Sequence, residues 1–168
     1  RPTRLDVPLV LDGQLNEDMY RRVAPVSNFV QQEPNEGELA TEQTEVWVWF
    51  DDDNVYVAAR CWHSEPDRIV ANEMKRDSYN MFGNEIFGVV IDTFYDRRNA
   101  YLFMTNALGG LFDATITNER TPNLDWNTVW DVQTDRFDGG WTLEMAIPFQ
   151  SLRFPAGTTQ QWGINFHR

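Results

Sequence analysis

Between Trp130 and Phe154 the chain spells out a strand, a tight turn, a second strand and one helical turn, and no other run limits the fold as much. Asp138-Gly139 is a dipeptide favoured by the two-residue type I′ turn, which needs positive φ at both central positions. Such a turn pairs Phe137 with Gly140 and Arg136 with Trp141, and the ladder continues as Thr134 with Leu143, Val132 with Met145 and Trp130 with Ile147. The apolar residues of both strands then share one face. Pro148 has no N–H for the ladder and closes it, so that residues 149–152 turn and drop Phe149 and Leu152 onto the core. Glu144 alternates away from Leu143 and Met145 and is expected as a solvated or arginine-paired carboxylate.

The rest of the chain is also strand-rich. Leu5 to Leu11 reads as a first strand, Asp12-Gly13 as its turn, and Asn16 as the N-cap of one or two helical turns that carry Met19, Tyr20 and Val23 inward. A short strand near Asn28 to Gln32 leads into an exposed acidic loop from Glu33 to Glu42. The turn Asp51 to Asn54 pairs Phe50 with Val55, Trp49 with Tyr56 and Trp47 with Ala58. Both faces of that hairpin are apolar: Val46, Val48, Val57 and Cys61 on one, Trp47, Trp49, Tyr56 and Trp62 on the other. It is therefore either covered on both sides or displays an aromatic platform. After a basic and polar segment from Pro66 to Ser78 come strands at Glu85 to Asp92, Ala100 to Asn106 and Leu111 to Thr117, a polar loop from Asn118 to Thr128, and a last strand from Gln161 to Arg168. That strand stops in full alternation, which suggests a natural polypeptide that continues. About eight to ten short strands with a few helical turns argue a single all-β domain over 1–168, an antiparallel β-sandwich of immunoglobulin- or jelly-roll-like type.

Charge and composition exclude several functions. With 26 acidic and 14 basic residues the formal charge is −12, which argues against a nucleic-acid partner or an anionic membrane surface. No apolar run approaches the ~20 residues of a membrane helix, so direct membrane insertion is not expected. The lone Cys61 rules out an internal disulfide and a multi-thiolate metal site.

Catalytic patterns are scarce. The two histidines are His63 and His167, and there is no nucleophile elbow, P-loop, dinucleotide fingerprint or His-Glu-x-x-His. A glycosidase could draw a pair from Asp51, Glu85, Asp92, Asp96, Asp113, Glu119, Asp125 and Glu144, but spacing alone selects none. No enzyme activity is expected. A hard cation suits the oxygen-rich loops better than a transition metal. Asp51, Asp52 and Asp53 form the densest cluster; Asp92 and Asp96 flank the Thr93-Phe94-Tyr95 bend and are calcium candidates, unless they order that bend with Arg97 or Arg98. Trp126 sits in a polar loop beside Asn118, Asn123, Asp125 and Asn127, where an aromatic face bordered by amides and carboxylates suits a sugar, or where the ring folds back over the strands.

Several segments together resemble the family 9 carbohydrate-binding modules: Leu11-Asp12-Gly13-Gln14-Leu15-Asn16-Glu17 with Tyr20, Val46 to Val57, Val89-Val90-Ile91-Asp92, and Gly140-Trp141-Thr142-Leu143-Glu144-Met145-Ala146-Ile147-Pro148-Phe149. Asp92 to Asp96, Asn106 to Gly109, Trp126 to Trp130 and Trp162 to Arg168 are more narrowly similar to exported bacterial proteins in which such a module precedes an outer-membrane β-barrel. The resemblance implies a noncatalytic module that holds a sugar chain end between two tryptophans with flanking carboxylates and amides, and that carries structural calcium. Anchored on the strand ending at Asp92, it places Phe82 where the first tryptophan stands, Glu85 where the family has Asp, and Gly88 where it has a ligand-binding Glu.

The leading expectation is a carbohydrate-binding module using Phe82, Glu85, Asn106 and Trp126, in a periplasmic or cell-surface, outer-membrane-associated protein serving carbohydrate catabolism, with calcium as the possible cofactor. Its partners would be the sugar and its own C-terminal β-barrel. A structural domain packing on that barrel without binding sugar is the alternative, motivated by Gly88. A haem-binding sandwich using Met74, Lys75, Met81, Met104 or Met145 is the third.

Overall fold

The computed structural model describes residues 1–118 and 121–168. In chain order the elements are β1 (Thr3–Arg4), α1 (Asp18–Arg22), β2 (Thr44–Phe50), β3 (Asn54–Trp62), β4 (Ile86–Asp92), β5 (Ala100–Asn106), β6 (Phe112–Thr117), β7 (Thr121–Asn123), β8 (Asp131–Phe137), β9 (Gly140–Pro148) and β10 (Gly163–His167), with 3-10 turns at Pro66–Arg68, Tyr79–Gly83 and Phe149–Ser151. They form two five-stranded sheets, ordered β1-β2-β3-β9-β8 and β10-β4-β5-β6-β7, in which antiparallel pairing dominates. This is the expected all-β sandwich class. The chain clusters into two compact units, Arg1–Ile69 with Asp131–Ala146, and Val70–Trp130 with Ile147–Arg168.

In the first unit the β2–β3 hairpin has the expected register, with Trp49 opposite Tyr56 and Trp47 opposite Ala58. Its aromatic face is covered. Tyr20 from α1 meets Trp47 and Trp49 edge-on at 5.4 and 4.9 Å, and Leu5, Leu9, Leu11, Leu15, Met19 and Val23 pack around them. The Trp47 indole donates to the Val23 carbonyl at 2.8 Å, so the buried ring keeps its polar atom satisfied. Beyond Leu5, whose N–H donates to the Phe50 carbonyl at 2.8 Å, the leucines that read as a first strand are an extended cover without a ladder. Only Thr3–Arg4 pairs, parallel to β2, because Leu5, Leu9 and Leu11 all serve one apolar surface and Pro8 lacks a donor. The helix begins one residue later than expected, with Glu17 at the N-cap position and no side-chain cap. Residues 28–32 contribute one isolated bridge, Val30 to Leu39, in place of a strand.

The β8–β9 ladder runs as the sequence predicts from Phe137–Gly140 to Val132–Met145, then ends at Asp131–Ala146, one pair short of Trp130–Ile147. The turn type differs from the expectation. Asp138 and Gly139 do not take positive φ; Gly140 does, at 152°. Close approach sets this geometry. A Cβ on Gly140 would lie 2.0 Å from the Cys61 carbonyl oxygen, and one on Gly139 would lie 2.7 Å from the Trp62 ring. The two glycines let β3 come alongside the turn, where the His63 N–H donates to the Gly139 carbonyl at 2.8 Å.

In the second unit β4, β5 and β6 are in register through Val89–Phe103–Asp113 and Gly88–Met104–Phe112. Alternation gives the sheet two faces. Phe87, Val89, Ile91, Phe103 and Asp113 lie on one face and are fully buried or nearly so. Gly88, Val90, Leu102, Met104 and Phe112 lie on the other, where Val90 and Leu102 remain half-buried.

Candidate functional site

The 3-10 turn Tyr79–Gly83 enters β4 and carries two aromatic rings outward. Ser78 caps it, accepting from the Asn80 N–H, and Met81 points inward against Met104 and Phe112. Tyr79 and Phe82, the rings that do not fit inside, are 72% and 55% exposed. Large exposed aromatics are the unusual observation on a surface, since burial is what such rings gain most from. The two rings are neighbours at 6.4 Å, tilted by 34°, and Phe82 rests edge-on against Phe112 at 5.4 Å. Beside them lies a cleft of about 640 Å³ lined by Asn72, Glu73, Tyr79, Asn80, Gly83 and Asn84.

A buried amide network holds this cleft in shape. Asn106, fully buried, donates to the Glu73 carbonyl and to Asn84 Oδ1 and accepts from the N–H groups of Leu108 and Gly110. Asn84 in turn accepts from the N–H groups of Asn72 and Glu73 and donates to Asn72 Oδ1 and the Asn80 carbonyl. Both amides are saturated, so they position the cleft and have no free donor to offer a ligand. Glu73 is different. Its carboxylate accepts from the Ser78 hydroxyl at 2.6 Å and the Lys75 N–H at 2.8 Å. Those donors, the hydroxyl above all, hold its pKa below the usual carboxylate range.

The four residues expected to bind ligand do not converge. Phe82 packs on Phe112, on the Gly88–Met104 face of the sheet. Trp126 is half-buried against Tyr101 at 5.2 Å and Phe103 at 6.0 Å, on the opposite face. The two rings cannot sandwich one sugar; Trp126 joins an edge-on aromatic cluster with Phe103 and Trp130. Asn106 is interior, as described. Glu85 is taken up by Arg168 at 2.8 Å. Of the four, Phe82 is the exposed ring, and it adjoins Tyr79, which lines the cleft with Asn72, Glu73 and Asn80. The sequence signal for these was the same interleaving of aromatics with amides seen around Trp126, obscured by the polar connector in front of it.

Asp51, Asp113, Asp92 and Asp96, weighed for catalysis, serve structure. Asp51 accepts from the N–H groups of Asp53 and Asn54 and from the Tyr56 hydroxyl. Asp113, fully buried, receives Arg76, the Thr128 N–H and the Trp130 indole. Asp92 accepts from the N–H groups of Asp96 and Arg97, and Asp96 from those of Arg98 and Asn99. The bend is thus ordered by main-chain caps, with both carboxylates turned into it. Glu119 lies outside the described residues. Met81, Met104 and Met145 are core residues at 0–1% exposure.

Glu144 is neither solvated nor arginine-paired. It is completely buried, with Oε2 accepting from the N–H groups of Asp12 and Gly13 at 2.9 Å each and Oε1 from the Tyr20 hydroxyl. Burial, aided by the Glu17 charge, raises its pKa against the pull of these three donors. Ligand oxygens of Asp12, Glu17 and Glu144 all lie within 4.8 Å of one another. Among the described residues no lysine, arginine or histidine pairs with any of the three, and Glu17 Oε2 is buried without a hydrogen-bond partner. Three converging carboxylates with an orphaned buried oxygen fit a hard divalent cation.

Comparison with known proteins agrees with the fold. The model of a family described as carbohydrate family 9 binding domain-like matches residues 11–167. A carbohydrate binding module family 9 from Caldicellulosiruptor kristjanssonii in complex with glucose is similar, with TM-score 0.64 and 15% identity over 98% of this chain and 75% of that one. The same organism's module in complex with cellotriose gives TM-score 0.62 and 16% identity over 98% and 74%. At those identities the likeness is one of fold. No curated protein matches the chain.

Proposed function

The chain belongs to the carbohydrate family 9 binding domain-like family, and from that premise we propose that it binds carbohydrate, without catalysis, on the Tyr79–Phe82 platform and its cleft. The observation that carries this is the pair of exposed rings beside a preorganised polar cleft. A sugar offers an apolar C–H face to a ring and hydroxyls to carboxylates and amides, and both partners are present around the Tyr79–Gly83 turn. Relatives solved with glucose and cellotriose support the ligand class. The platform is one-sided, since Trp126 stands on the opposite face. It therefore stacks a single sugar face, with Asn80, Asn72 and Glu73 as the polar contacts. Isothermal titration with neutral oligosaccharides is the test: binding that falls about tenfold or more in Tyr79→Ala and Phe82→Ala supports the reading, and the absence of heat across the panel overturns it.

Calcium belongs to the same proposal at a different place. Asp12, Glu17 and Glu144 are the residues that would hold it, not Asp92 and Asp96, whose oxygens cap a bend. There the cation would supply a structural tie between the loop after Leu11 and β9, offsetting the repulsion of three carboxylates.

The resemblance to exported modules supports a wider setting, a periplasmic or cell-surface protein associated with the outer membrane that presents sugar for carbohydrate catabolism, with the protein's own C-terminal β-barrel as a partner. Fractionation of the producing cells tests the location; recovery in the cytoplasm overturns it. Gly88 favours a second reading, in which the sheet face it shares with Val90 and Leu102 packs on that barrel instead of meeting sugar. Co-purification with the separately produced barrel in the absence of any sugar heat is the result that would select it.

A further inference from the structure

The geometry points to a sugar bearing a protonated amine, a glucosamine-type unit, as the ligand best matched to this cleft; the inference rests on the carbohydrate reading of the same site. Among the described residues the cleft's lining contains one carboxylate, Glu73, and neither a lysine nor an arginine. The nearby arginine is committed elsewhere, Arg76 being held by Asp113, by Asp77 at 3.6 Å and by the Thr128 carbonyl. Hydrogen bonds from the Ser78 hydroxyl and the Lys75 N–H fix the Glu73 carboxylate and favour its ionised form, and among the described residues no lysine or arginine forms an ion pair with it. Tyr79 provides the second element. At 72% exposure its ring face is open, and an ammonium over a ring face is attracted by the quadrupole.

An ammonium presents three donors, and the Glu73 carboxylate has acceptor capacity beyond its bonds from Ser78 and Lys75. A uronic acid would place its carboxylate beside Glu73 in a chain of net charge −12 and would be repelled. The neutral gluco-oligosaccharides that relatives hold would stack but gain nothing from the charge.

Isothermal titration at mildly acidic pH separates these cases, using glucosamine, N-acetylglucosamine, glucose and galacturonate oligomers of equal length. The expected result is that the glucosamine oligomer binds about tenfold more tightly than its acetylated counterpart, a gap of the size that one partly exposed ion pair and one cation–π contact produce together. The gap should close in high salt, at alkaline pH where the amine is neutral, and in Glu73→Gln. Tyr79→Ala should weaken both ligands, and near-UV circular dichroism checks that each variant is folded. Equal or tighter binding of the acetylated oligomer overturns the inference alone, as does a gap that survives Glu73→Gln. Failure of every oligomer to bind overturns the carbohydrate reading with it. A lysine-rich peptide that binds as tightly as the glucosamine oligomer would show a site for amines in general and overturn the sugar assignment.

Discussion

The Tyr20 hydroxyl donates to Glu144 across 124 residues of sequence, joining the single α-helix of the first unit to the middle of β9. The carboxylate also accepts two main-chain N–H groups from Asp12 and Gly13, so one buried acid organises the helix, the preceding turn and a strand. Tyr20→Phe removes a single donor and should destabilise the protein by about 1–3 kcal/mol. Glu144→Ala should cost more than Glu144→Gln, because only the amide oxygen can still accept from the two N–H groups. Urea denaturation in the presence of a chelator measures all three; equal stability of the Ala and Gln variants would show that the N–H groups do not depend on this acceptor.

The orphaned Glu17 oxygen beside Asp12 and Glu144 predicts that a hard cation stabilises the fold. A ligand at a hundredfold excess over its Kd adds about 2.7 kcal/mol, which for a chain of this size raises the melting midpoint by about 5–10 °C. Terbium should be sensitised by Tyr20, which is bonded directly to a ligand carboxylate. Calcium should displace it, and Glu17→Gln should abolish the emission. An unmoved midpoint in excess calcium, with no terbium emission, would leave these carboxylates to share protons instead.

Two glycines on different sheets predict opposite outcomes. At Gly88 a Cβ would meet Leu102 and Met104 at 3.6 Å, an ordinary contact, and Gly88→Ala should stabilise the protein by about 0.5–1 kcal/mol through lost unfolded-state entropy. At Gly140 a Cβ would lie 2.0 Å from the Cys61 carbonyl oxygen on a backbone of φ 152°. Gly140→Ala should therefore cost more than about 2 kcal/mol or prevent folding. Thermal melts of the two variants decide it, and the same sign for both would overturn the close-approach account of the β8–β9 turn.

The Asp51–Tyr56 bond, 2.7 Å long, predicts a pH dependence at both ends of the scale. Burial alone would raise the Asp51 carboxyl, but the Tyr56 hydroxyl and the Asp53 and Asn54 N–H groups bring it below its ordinary 3.8. Its stabilisation is present above that value and is lost as pH falls through the lower folded pKa. Tyr56 is pushed up to about 12 by burial and by Asp51, so its share is present below pH 10.0 and is lost as pH rises through about 12. Asp51→Asn should cost at most about 1 kcal/mol at neutral pH, because solvent screens this rim position. It should also move the Tyr56 ultraviolet titration back toward 10.0. A tyrosinate titration unchanged in the variant would sink the coupling.

The registers of β2–β3 and β8–β9 were legible because alternation and a short connection leave one solution that buries Trp49 and Leu143. The turn type was not, because the Gly140 backbone is set by the Cys61 carbonyl, which is remote in sequence. Leu5 to Leu11 misled because apolar residues in extended chain satisfy the same pattern whether or not a ladder forms; here they cover Trp47 and Trp49. Glu144 was misplaced for a related reason, since alternation gives its face but not that Asp12, Gly13 and Tyr20 would close over it. At the site, resemblance picked out Phe82 as a ligand-binding ring, and that ring is 55% exposed. It could not tell which face of the sheet the Trp126 loop would reach.

That difference of face separates the two rings experimentally. Trp126 lies on Tyr101 and Phe103, so Trp126→Ala should lower stability by about 2–3 kcal/mol, less than the full cost of a buried aromatic because the ring is half-exposed. It should leave sugar affinity within about twofold, below the effect expected of a contact residue. Phe82 is 55% exposed with one aromatic neighbour inward, Phe112. Phe82→Ala should cost about 1 kcal/mol of stability or less while reducing affinity about tenfold. Melting curves and titrations on the same two variants give the four numbers needed. If Trp126→Ala abolishes binding in a protein that is still folded, the ligand lies on the Phe103 face, and the platform at Tyr79 and Phe82 is not the site.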